Sequence, residues 1–183
     1  AHRVHDGVVN SEKGNLKTLE KYAEEMNNNY MSRIVLSVWT HYQKILDKEK
    51  ALDFDDLIME TVQLFVKYPE VLSELQDRYR YLLVDEFQDT NVAQYRFTQL
   101  LGAKNRNVTV VGDFSQSIYS WRGADIRNLE KFNQDFPDTK VYHLEQNYRC
   151  SQKILNFAYD VISQNQTHPV LELYTENEEG EDI

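Results

Sequence analysis

The sequence is poor in the residues that staple, break or anchor a chain. Of 183 residues one is cysteine, Cys150. That excludes a disulfide framework and any zinc site built from several thiolates, and it fits a reducing compartment. Six glycines and three prolines exclude collagen-like and low-complexity classes. No stretch approaches the length of an apolar membrane span, and the first residues carry no apolar signal segment. The expectation is a cytoplasmic chain with no membrane partner. Nowhere does Gly-x-x-x-x-Gly-Lys-Ser/Thr occur; Gly102-Ala103-Lys104-Asn105 lacks both the upstream glycine and the hydroxyl residue. The loop of backbone N–H groups that cradles nucleotide phosphates is therefore missing. Basic residues are scarce as well, 20 against 30 acidic, for a net charge of −10. Strong unaided binding to nucleic acid draws on Lys and Arg at phosphates, so charge alone argues against it. Local basic or aromatic features can still build such a site.

What is present is an ordinary globular composition. Hydrophobic residues make up 41% and charged residues 27%, which excludes disorder throughout and allows a sizeable core. From Leu16 to about Ala51 the pattern is helical. Leu16, Leu19, Ala23, Met26 and Tyr30 recur at spacings of three and four, and a second face runs from Ile34 to Leu46 with Trp39 on its apolar stripe. Ser32 is expected to cap that second run. Asp53 is expected to cap a helix carrying Phe54, Leu57, Ile58, Thr61, Val62 and Phe65. Pro69 should open the next.

After Tyr79 the pattern changes. Tyr81–Val84, Val108–Val111 and Val141–Leu144 are short apolar runs, each ending in or beside an acid. Helical patterns separate them, at Val92–Leu101, Ile126–Phe132 and Ile154–Ile162. Buried strands alternating with helices predict a parallel α/β sheet of three strands, with ligands bound beyond the strands' carboxyl ends. No internal repeat is visible. The tail from Glu172 to Asp182 is acidic and without a base, and reads as solvated.

The chemistry concentrates in Leu82-Leu83-Val84-Asp85-Glu86-Phe87-Gln88-Asp89-Thr90. An apolar strand that delivers two adjacent carboxylates suits a Mg²⁺ ligand and a base for an attacking water. The plain alternative is a strand ending in a solvated acidic turn. The segment Asp85-Glu86-Phe87-Gln88-Asp89-Thr90 resembles the acidic box of the UvrD/Rep group of superfamily 1 DNA helicases. Two further blocks follow in that family's order and spacing. Val111-Gly112-Asp113-Phe114-Ser115-Gln116-Ser117-Ile118-Tyr119-Ser120-Trp121-Arg122-Gly123-Ala124 is similar to its third motif. Leu144-Glu145-Gln146-Asn147-Tyr148-Arg149 is similar to its fourth. Leu52–Leu57 and Tyr174–Asn177 are weaker echoes. The resemblance covers most of the chain from about residue 16 onward.

The resemblance implies roles. Asp85 would hold Mg²⁺ and Glu86 would act as general base for ATP hydrolysis. Gln116 would sense the γ-phosphate, and Arg149 would reach it like an arginine finger. Tyr119, Trp121 and Arg122 would contact single-stranded DNA, with Trp121 as the stacking platform. An aromatic face stacks any base, which suits a motor that must not read sequence. Tyr148 is read as packing, Trp39 as core, Cys150 as inert with Ser151 a cap beside it, and His2 and His5 as bystanders.

The resemblance also implies organisation. Residues 1–78 would be part of a helical insertion, 79–165 the back half of a first RecA-like lobe, and 166–183 an acidic tail or linker. The fold class is a partial α/β RecA-like parallel sheet preceded by a helical subdomain. The expected function is a fragment of an ATP- and Mg²⁺-dependent 3′-to-5′ DNA helicase acting on single strands and duplex junctions. Without its phosphate loop and the missing parts of its own helicase chain, the fragment is expected to be inactive. Its exposed sheet edge is expected to invite self-association. Alternatives are the helicase lobe of a helicase-nuclease, a non-catalytic DNA-binding module, or an acidic interaction module.

Overall fold

A computed structural model describes residues 17–25 and 30–181. Leu16, Met26, His2 and His5 lie outside the described residues. Helices α1 (Leu19–Glu25) and α2 (Tyr30–Glu49) form the first layer. Trp39 is buried there with Val35, against Leu19 and Tyr22, as its place on the apolar stripe predicts. Ser32 does not cap α2. The helix already includes Tyr30, so Ser32 lies inside it.

Helix α3 (Phe54–Lys67) starts where expected. The Asp53 carboxylate accepts from the Asp56 N–H at 2.8 Å, and the Asp56 carboxylate accepts from the Asp53 N–H at 3.2 Å. Such a reciprocal box satisfies two orphan donors, and its cap is worth about 1 kcal/mol. Met59, Val62 and Phe65, spaced at three, form the buried face. Pro69 opens α4 (Pro69–Arg78) at its first turn, where its missing N–H costs nothing.

Strand β1 (Leu82–Val84) pairs in parallel with β2 (Val108–Val110), Leu82 opposite Val108 and Val84 opposite Val110. Between them runs α5 (Val92–Gly102), entered through a capping box of Asn91 and Gln94. Phe97 of α5 stacks on Phe65 of α3, with ring centroids 5.6 Å apart. The Gln76 amide of α4 donates to the Leu100 carbonyl at 2.8 Å. These contacts tie the helical layer to the sheet. At Gly102 a β-carbon would lie 2.4 Å from a Val108 methyl, so glycine is what lets α5 approach β2. The core over the sheet is Phe87, Tyr95 and, from α6 (Arg127–Asp135) and its end, Phe132 and Phe136. The Phe87 ring meets the Phe132 ring edge-on at 5.6 Å.

The third expected strand does not form. Val141, Tyr142 and Leu144 are exposed, and among the described residues the sheet has two strands. An apolar run becomes a strand only where a neighbour pairs its N–H and C=O groups, and among the described residues 141–144 has none. Pairing begins just beyond, where Gln146 and Tyr174 form an isolated parallel bridge. The acidic tail folds back along α7 (Gln152–Ile162). There the Asn177 amide donates to the Cys150 carbonyl at 3.1 Å, and Lys153 lies 3.7 Å from Glu179. Ser151 occupies the N-cap position of α7 but makes no side-chain cap bond. Tyr148 is not packed. It is 77% exposed, and its hydroxyl donates to the Gln146 side chain at 2.8 Å.

Candidate functional site

The tip of β1 turns sharply. Asp85 and Glu86 are both exposed. Glu86 sits in the left-handed region at φ 51° and ψ 42°, a conformation costing a non-glycine residue about 1–2 kcal/mol. The turn is held from several sides. The Asp85 carboxylate accepts from the Glu86 N–H at 2.9 Å through Oδ1. The Phe87 N–H donates to the Val111 carbonyl at 2.9 Å. Phe87 itself is fully buried. The two acids are therefore solvent-accessible on an anchored turn.

This donor set suits Mg²⁺. The ion prefers hard oxygen, keeps several waters, and takes one or two carboxylates plus substrate phosphates. Asp85 supplies one exposed carboxylate of that kind. Among the described residues no cluster of three or more His, Cys, Asp or Glu gathers to make an all-protein cage.

A cavity of about 590 Å³ opens beside the acidic tip. Its lining combines apolar Leu57, Ile58 and Phe97 with the acids Asp85, Glu86 and Asp89. One oxygen of Asp89, Oδ1, is buried without a hydrogen-bond partner. Burial, and then the negative charge of Glu86, push the Asp89 carboxyl above the usual carboxylate range.

The tip of β2 leads into the second loop. The Asp113 carboxylate accepts from the Ser115 N–H at 2.8 Å and from the Gln116 amide at 2.8 Å. Gln116 is exposed. Phe114 stacks on His168 at 5.8 Å, which fixes the loop's outer side. The chain continues through a short turn, Ser120–Arg122, closed by Gly123 at φ 88°. Trp121 is 70% exposed, so it is no core residue. Its ring lies 6.3 Å from Tyr119, and the Arg122 guanidinium sits 5.0 Å over Trp121 and 5.8 Å over Tyr119. The result is a solvent-facing aromatic pair with a cation on it. The Asp125 N–H then donates to the Thr90 carbonyl at 3.0 Å, and the buried Asn128 amide to the same carbonyl at 2.9 Å. The far end of the loop is thereby pinned to the end of the acidic box.

Arg149 stands apart. It is exposed, and its N–H donates to the Asn147 side chain at 2.9 Å. Among the described residues no ion pair joins it to Asp85 or Glu86. Sequence reasoning missed Gln88. It is 1% exposed and bridges the two strand tips: its amide N–H₂ donates to the Glu86 carboxylate at 2.7 Å, and its amide oxygen accepts from the Asp113 N–H at 3.1 Å. Nothing local in the sequence marks it, because its contact with Asp113 spans 25 positions.

A helical layer against a parallel strand pair with acids at the strand tip defines a partial α/β lobe of the RecA-like kind. The chain belongs to the UvrD/REP helicase N-terminal domain family, which it matches over residues 4–137. It is 46% identical over 181 residues to the ATP-dependent DNA helicase PcrA of Staphylococcus epidermidis, and equally to that of Staphylococcus aureus. The match takes in 99% of this chain and 25% of each relative. The chain thus spans about a quarter of the length of the curated relatives it matches. Among the described residues no helix is long and apolar enough to cross a membrane.

Proposed function

We propose that this chain works as a segment of a cytoplasmic ATP-driven DNA helicase that translocates 3′ to 5′ on single-stranded DNA and opens duplex junctions. Residues 1–78 contribute to a helical insertion, 79–165 to the back half of a first motor lobe, and 166–183 to a linker. One observation carries the reading. Paired strands deliver an exposed acid pair at one tip and, from the neighbouring tip, a loop holding Gln116 and an exposed aromatic-cation cluster.

In this reading Asp85 binds Mg²⁺, which supplies charge neutralisation on the phosphates. Glu86 accepts a proton from the attacking water. Gln116 reports the γ-phosphate by hydrogen bonding, and Arg149 offers a fixed cation to transition-state charge once the ATP site is assembled. Tyr119, Trp121 and Arg122 grip bases by stacking and charge. The relatives' printed activity, ATP-dependent DNA helicase, supports the assignment. The 183-residue chain alone hydrolyses ATP negligibly, because no phosphate-cradling loop is in its sequence. In isolation its β1–β2 edges offer a surface for self-pairing.

The test is strand displacement by the longer protein that contains this chain. ATP-dependent unwinding of duplexes with 3′ tails, and no turnover by the 183-residue chain, is expected. Unwinding only from 5′ tails, no unwinding, or ATP turnover by the short chain would each overturn the corresponding part.

A further inference from the structure

We propose that the acidic segment 173–180 is a strap that positions Arg149, with Asn177 as the positioning residue. The proposal rests on the reading of Arg149 given above. An arginine that meets transition-state charge must satisfy two conditions. Its backbone must be fixed, because a misplacement of about 1 Å can cost on the order of 100-fold in rate. Its guanidinium must also stay clear of neighbouring carboxylates, which would hold it bidentately in place of phosphate.

The first condition is met on both sides of the turn. Asn147 holds it from within, its side-chain oxygen accepting from the Arg149 N–H at 2.9 Å and from the Cys150 N–H at 2.8 Å. The strap holds Asn147 in turn. The Asn147 N–H donates to the Tyr174 carbonyl at 2.7 Å, and the Tyr174 N–H donates to the Glu145 carbonyl at 3.1 Å. Beyond Arg149, the Asn177 amide donates to the Cys150 carbonyl at 3.1 Å. Arg149 therefore lies between two points at which the strap grips the chain. Asn177 is itself placed by short-range bonds. Its N–H donates to the Thr175 hydroxyl at 3.1 Å, and the Thr175 N–H donates to the Gln152 side chain at 3.1 Å.

The second condition is met by where the strap's acids go. It carries Glu176, Glu178 and Glu179, yet among the described residues no ion pair joins them to Arg149. Glu179 lies 3.7 Å from Lys153 instead, and Lys153 also donates to the Gly180 carbonyl at 3.4 Å. Gly180 turns at φ 80°, where a β-carbon would lie 2.8 Å from the Ser151 hydroxyl oxygen. The far end of the strap is thus tied to Lys153 and Ser151, not to the guanidinium. Backbone and amide bonds fix Arg149, and its charge is left for phosphate.

The experiment measures ATP turnover by the longer protein with oligo-dT present, with KM and kcat separated. Parent, Asn177→Ala, Arg149→Ala and the double variant are compared. Asn177 is exposed, so its truncation should leave the fold intact, and a melt checks this. The expected result for Asn177→Ala is a kcat lower by roughly 10-fold with an unchanged KM for ATP. The double variant should be no slower than Arg149→Ala alone, because a residue that acts through another has no effect once that other is gone. Effects that multiply in the double variant, or a parent-like kcat in Asn177→Ala, overturn the positioning role and leave the Arg149 reading standing. A parent-like kcat in Arg149→Ala overturns that reading and the proposal with it, as does an inactive parent. If Asn177→Ala does not fold, Gly180→Ala strains the far end of the strap and should lower kcat at unchanged KM; a parent-like kcat there overturns the proposal.

Discussion

Trp121→Ala separates the loop's work from the fold's. Trp121 is 70% exposed. A tryptophan offers up to about 250 Å², so roughly 75 Å² of it is covered. At about 25 cal/mol per Å², truncation costs less than about 2 kcal/mol of stability, and this is an upper bound. The Arg122 guanidinium over the ring adds about 0.5–1 kcal/mol at an exposed site. Trp39 is the control. It is 1% exposed, and its truncation should cost about 3–5 kcal/mol. On DNA the order reverses. Losing one base-stacking platform costs about 1–3 kcal/mol, or about 5- to 140-fold in affinity. Fluorescence anisotropy with a labelled oligo-dT, run on the longer protein beside thermal melts, reads both. Trp121→Ala should melt close to the parent and bind far more weakly, while basal ATP turnover persists. Unchanged affinity, or a loss of stability as large as that of the Trp39 control, would refute the exposed-platform argument.

Two further outcomes follow from the acidic box. Glu86→Gln removes the base and keeps the shape, so hydrolysis should fall by roughly 10²- to 10⁴-fold with nucleotide affinity retained; loss of nucleotide binding instead would make Glu86 structural. Asp89 is held above the ordinary carboxylate range by burial and by Glu86. Its neutral form therefore favours the fold, and that stability is present at low pH and lost as pH rises through the elevated value. Asp89→Asn should raise the melting temperature at pH 7 and change little near pH 3, and an equal effect at both would contradict the assignment.

Much of the fold was legible because local signals and tertiary contacts agreed. Asp53 and Pro69 mark helix starts by chemistry that acts within one turn. Of the residues expected along α3, Val62 and Phe65 are buried, with Met59 beside them, whereas Phe54 and Leu57 face solvent. The misses are non-local. Val141–Leu144 has strand composition, but pairing depends on a neighbour that periodicity does not reveal. Tyr148 offers a ring that could pack, yet it lies among polar neighbours and its hydroxyl turns to Gln146 in solvent. Ser32 has cap chemistry, but it lies inside α2. At the site, the acid pair and the aromatic loop could be read in order along the chain. Gln88 could not, because its importance lies in touching Glu86 and Asp113 at once. Those residues are distant in sequence and meet only when β1 and β2 pair.

The most direct measurement is ATP turnover by the longer protein with Mg²⁺, with and without single-stranded DNA. A turnover that DNA raises steeply is the predicted result, because the acid pair and the aromatic loop lie on neighbouring strand tips. Turnover indifferent to DNA, or none at all, would contradict the claim that these two tips form one coupled site.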